Sequence, residues 1–76
     1  MSMTLEEFTK ALQELFLEGT VHLEPDTRFR DNDEFDSLIG FSMLLVIKDH
    51  FGKSMPVPVF LSCHTVEELY NQALAL

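Results

Sequence analysis

Ser37 is the residue whose neighbours point most directly to chemistry. It sits in the run Phe35-Asp36-Ser37-Leu38, at the end of a long acidic stretch. A serine opening a helix exposes its hydroxyl. A serine in that place is also a common N-cap, as is an aspartate, so a purely structural role competes. A nucleophilic enzyme is the least favoured reading. The sequence has no Gly-x-Ser-x-Gly elbow, and the chain is too small for a convincing pocket around a Ser37–His–Asp set.

The other reactive residue types are arranged less suggestively. Asp31-Asn32-Asp33-Glu34-Phe35-Asp36 resembles the start of a calcium loop, but Phe35 and Asp36 replace the needed oxygen ligand and glycine. Ser42 stands where a bidentate glutamate is required. His22, His50 and His64 have no ligand-like spacing with Cys63, so no metal site is expected. Cys63 reads as buried packing, and the methionines as termini and core filler.

The 76 residues that must carry these side chains make one domain, expected to span the whole chain, 1–76. Such a chain buries only about 60% of its unfolded surface, which disfavours a deep active site. Thirteen acids against five bases, a net charge of −8, repel phosphate backbones and exclude nucleic acid as a natural partner. Basic protein surfaces suit it better. One cysteine forms no internal disulfide and fits a reducing, cytoplasmic compartment. No signal-peptide pattern opens the sequence, and the apolar run Leu38–Ile47 is too short to span a bilayer. A monomer is expected.

The periodicity is helical throughout, with no sustained two-residue alternation. A first helix is expected over about 4–17. Thr4 and Glu7 have capping-box spacing, and Leu5, Phe8, Leu12, Leu15 and Phe16 make one apolar face, with Gly19 suited to a left-handed exit. A second is expected over about 37–51, stopped by Gly52. A last helix over about 65–75 opens with the box Thr65-Val66-Glu67-Glu68. Pro58 allows a short helix over about 58–62, although the valines there also suit extended chain. Residues 18–36 form an acidic connection that Val21, Leu23, Phe29 and Phe35 can pack down. The predicted fold class is all-α: a small four-helix bundle with one long loop.

The second helix carries one apolar face too many. At about 100° per residue, Gly40, Met43, Leu44, Ile47 and Phe51 share one arc. Leu38, Phe41 and Leu45 share another, close to Ser37. A surface helix needs a single stripe, and little chain is available to cover a second. The second arc is therefore expected to be an exposed docking stripe, unless the long loop folds over it.

Phe35-Asp36-Ser37-Leu38, then Phe51-Gly52, Met55-Pro56 and Thr65-Val66, at these spacings, resemble an acyl carrier protein; Pro25-Asp26-Thr27-Arg28-Phe29 resembles the loop ahead of its motif. The likeness runs from Leu5 to about Leu74. It implies that Ser37 carries 4′-phosphopantetheine through a phosphodiester, installed from coenzyme A by a phosphopantetheinyl transferase. The arm's thiol would hold an acyl group as a thioester, and the carrier itself would catalyse nothing. Asp36 would be read by the transferase and other partners, and Leu38, Phe41 and Leu45 would dock acyl-transferring and acyl-modifying enzymes with basic surfaces. An acyl pocket would lie among Phe29, Met43, Ile47, Phe60 and Cys63.

The sequence departs from carriers of fatty acid synthesis at several places. Ser42 stands where an acid is usual, Lys48 and His50 where acids are frequent, and Phe41 is bulky. These departures suggest a specialised lipid or polyketide-like pathway. A peptidyl carrier is disfavoured because Glu34-Phe35-Asp36 replaces the paired glycines before the serine. The competing class is a small helical interaction domain that binds through Leu38, Phe41 and Leu45, with Ser37 only a cap.

Overall fold

The computed structural model describes residues 3–16 and 21–76. Within them the helical patterns form α1 (Leu5–Gln13), α2 (Ser37–Phe51), α3 (Val57–Ser62) and α4 (Val66–Leu74), with a 3-10 turn at Phe29–Asp31. No strand occurs among the described residues; Arg28 and Thr65 form one isolated antiparallel bridge. Over the described residues the architecture is a small all-α bundle of four helices.

Both capping boxes form. The Thr4 hydroxyl accepts the Glu7 N–H at 3.1 Å, and Glu7 accepts the Thr4 N–H at 2.9 Å. Glu68 accepts the N–H groups of His64 at 2.7 Å and Thr65 at 3.2 Å, while Thr65 Oγ1 accepts the Glu68 N–H at 3.1 Å. Those donors favour the charged carboxylate and hold Glu68 below the usual carboxylate pKa.

Helix α1 ends at Gln13, short of the expected residue 17. The N–H groups of Leu15 and Phe16 bond the carbonyls three residues back, at 3.1 Å each, which tightens the chain and turns Phe16 into the core. Gln13 is drawn into the turn as well, its Oε1 accepting the Leu23 N–H at 2.8 Å. The exit assigned to Gly19 lies outside the described residues.

Phe8, Leu12, Phe29, Met43, Ile47, Val66 and Leu69 are fully buried, where α1, α2 and α4 pack on one another. Phe8, Phe51 and Tyr70 meet edge-on or tilted, with ring centroids 5.5–6.0 Å apart. Tyr70 completes that end by donating its hydroxyl to the Met3 carbonyl at 2.7 Å.

The long connection is anchored rather than free-standing. Val21, Leu23 and Phe29 are buried and Phe35 is half-buried. The carbonyls of Thr27 and Pro25 accept the first N–H groups of α4, Val66 at 3.3 Å and Glu67 at 2.8 Å. The loop thereby satisfies orphan donors at the α4 start. No described helix is long and apolar enough to cross a membrane.

Candidate functional site

Asp36 and not Ser37 caps α2. Its backbone is extended (φ −144°), and its carboxylate accepts the Ile39 N–H at 2.9 Å. Ser37 is the first helical residue. It is exposed, and its hydroxyl makes no hydrogen bond among the described residues. The structural role that competed for Ser37 is thus filled by its neighbour. The far end of α2 is closed by Gly52 in the left-handed region (φ +76°), its N–H donating to the Lys48 carbonyl at 3.0 Å.

The two arcs of α2 separate as the helical geometry requires. Gly40, Met43 and Ile47 are buried, with Leu44 and Phe51 half-buried. Leu38 is 71% exposed, Phe41 58% and Leu45 46%. The described part of the loop, residues 21–36, does not fold over this second stripe. Val57 and Leu61 of α3 are also large exposed apolar side chains, so the uncovered surface continues beyond α2. Periodicity could not assign them, because α3 is too short to show a face. The stripe's flanks carry mixed charge: Asp36 precedes it, and Lys48 lies exposed near its far end.

An open groove of about 560 Å³ runs between α2 and α3, lined by Ser37, Gly40, Phe41, Leu44, Phe60 and Leu61 among others. Gly40 sets its depth. A Cβ there would stand 3.2 Å from Phe35 Cζ and 3.6 Å from the Phe60 ring, so the missing side chain lets both rings approach the helix. Of the five residues expected around an acyl pocket, Phe60 lines this groove. Phe29, Met43, Ile47 and Cys63 belong to the packed core.

Cys63 is buried, and its thiol lies 3.4 Å from the Val59 carbonyl. Burial pushes its pKa up, which suppresses the reactive thiolate. His22 pairs with Glu24 at 3.2 Å on the surface. Among the described residues, no three His, Cys, Asp or Glu side chains gather as a metal site.

Arg30 holds a place at the site that no local sequence pattern indicates. Its guanidinium donates to the carbonyls of Phe60 and Cys63 and lies over the rings of Phe29 at 5.0 Å and Phe60 at 4.9 Å. It also lines the groove beside Ser37. Its carbonyl partners are 30 and 33 residues away in sequence, beyond the reach of any local pattern.

The model of one family, phosphopantetheine attachment site, matches residues 6–72. The chain belongs to that family. Searches of curated proteins and of solved structures return no match. Phosphopantetheine carriers of this family hold 4′-phosphopantetheine through a covalent bond. A carrier domain implies contact with a phosphopantetheinyl transferase and with enzymes that handle acyl groups. The matched span of this carrier includes the α2 start, both faces of α2 and the groove.

Proposed function

We propose that Ser37 is the attachment point of the phosphopantetheine arm and that the protein presents acyl thioesters to partner enzymes. The carrying observation is the exposed Ser37 hydroxyl at the first position of α2, without a hydrogen bond among the described residues and with capping left to Asp36. The arm, when bound, supplies the thiol that takes the acyl group. The chain's own residues orient and present. The α2 start offers unpaired N–H groups and a positive dipole end to a phosphodiester on Ser37. Asp36 adds the negative charge that a transferase reads. Leu38, Phe41 and Leu45 supply the apolar contact beside it.

The protein itself is non-catalytic in this reading, and acts as a monomer in the cytoplasm. An acyl group reaches Phe60 along the groove, while Phe29, Met43, Ile47 and Cys63 form the core behind it. Net charge still steers basic partners toward the carrier. The close fit depends more on Phe41 and Leu45, because Ser42, Lys48 and His50 leave α2 with Asp49 as its one acid. That balance supports a specialised lipid or polyketide-like pathway over housekeeping fatty acid synthesis.

The test is incubation with coenzyme A and a promiscuous phosphopantetheinyl transferase, followed by intact mass. The wild type should gain one arm. Ser37→Ala should gain none and keep its helical circular dichroism spectrum. No gain on the wild type with any transferase would sink the proposal.

A further inference from the structure

Helix α3 forms one wall of the groove beside Ser37, yet little in its own sequence holds it there. It has six residues and no side-chain N-cap; Phe60 is its one buried side chain, and Val57 and Leu61 face outward. Its C-terminal carbonyls need partners that the helix cannot supply. Arg30 supplies them. One guanidinium donates to both Phe60 and Cys63 carbonyls while lying over the adjoining rings of Phe29 and Phe60. Each contact is charge-assisted and partly buried, so each is stronger than an ordinary surface bond. The anchor lies in the 3-10 turn Phe29–Asp31, which Phe29 ties to the core at zero exposure.

We propose that Arg30 is a positioning residue that latches α3 against the loop and so fixes the width of the groove running from Ser37. The latch stands on these contacts alone. Its consequence for cargo rests on the reading of Ser37 as the arm's attachment point. With α3 latched, the groove stays shallow: Phe29, Met43 and Ile47 behind it have no exposure, and its walls include the rings of Phe35, Phe41 and Phe60. A surface groove walled by phenyl rings shields a short, ring-bearing acyl group better than a long alkyl chain.

Amide hydrogen exchange on the unmodified protein tests the latch, with Arg30→Lys and Arg30→Met. Lysine keeps the charge but loses the planar fork and the stacking, and methionine keeps bulk without donors. In both variants the α3 amides of Val59 and Phe60, which bond the Pro56 carbonyl at 3.0 and 3.1 Å, should exchange about tenfold faster or more. The α1 and α4 amides should change much less. Wild-type exchange of α3 in Arg30→Lys, or equal acceleration of every helix, overturns the latch. If Arg30→Met does not fold, Arg30→Lys alone decides.

The cargo consequence is read on protein loaded with benzoyl- or hexadecanoyl-pantetheine. Hydroxylamine cleavage of each thioester is compared with the same thioester on free pantetheine. The benzoyl group should be shielded more than the hexadecanoyl group, and Arg30→Lys should remove that preference. Equal or greater shielding of hexadecanoyl on the wild type overturns the cargo assignment. Failure of Ser37 to accept an arm would defeat the carrier reading and leave the exchange result to judge the latch.

Discussion

Replacing Asp36 separates two roles that the structure superimposes on one carboxylate. It caps α2 through the Ile39 N–H at 2.9 Å, and it places a negative charge next to Ser37. Loss of an N-cap side chain costs about 1 kcal/mol, within a range of roughly 0.5–2. Loss of a charge at an exposed helix N-terminus costs about 0.3–1 kcal/mol. Asp36→Ala removes both and should destabilise the fold by about 1–2 kcal/mol. In a domain of this size each kcal/mol lowers Tm by roughly 4–8 °C, so a fall of about 5–15 °C is expected. Asp36→Asn keeps the cap, because asparagine caps as well as aspartate, and loses only the charge. Its Tm should fall by less than half as much. Thermal circular dichroism at low salt gives both values, and arm-loading rates by intact mass give the second role. If the charge is read by the transferase, both variants load slowly although only Asp36→Ala is markedly destabilised. An unchanged Tm in Asp36→Ala would refute the capping argument. Wild-type loading of Asp36→Asn would refute the recognition argument.

Other consequences are local. Gly52→Ala should destabilise by about 1–2 kcal/mol, because a Cβ there meets nothing within 4 Å and the cost is the left-handed backbone alone; urea midpoints check it. Glu68 is held below its ordinary pKa by the His64 and Thr65 N–H groups, so its charged-state contribution is present above the unfolded carboxylate value and lost as pH falls through the folded one. The Tm advantage of the wild type over Glu68→Gln should therefore shrink on acidification, and a constant difference from neutral to acid pH would contradict this. Cys63 in the unmodified protein should resist alkylation at neutral pH and react rapidly in denaturant, as followed by mass, because the thiol is buried and its pKa raised.

Features set by neighbouring residues were legible in the sequence. Thr4 with Glu7, Thr65 with Glu68, and Gly52 after a periodic run each specify a helix end through contacts within a few residues. The two arcs of α2 were legible for the same reason, since helical geometry alone separates Phe41 from Met43. Features set by distant residues were not. The early end of α1 depends on Gln13 meeting Leu23 and on Phe16 turning inward. The extended and helical alternatives for residues 57–62 are decided by burial of Phe60 and by Arg30 at the helix end. Asp36 and Ser37 were both credible caps, and only the backbone angles and the bond to Ile39 assign the role.

In the function proposed, Ser37 is where this carrier receives its arm. Tandem mass spectrometry of peptides from the transferase-treated protein tests it residue by residue. Phosphopantetheine is expected on Ser37 and none on Ser2, Ser42, Ser54 or Ser62. An arm on any of those four with Ser37 unmodified would contradict this.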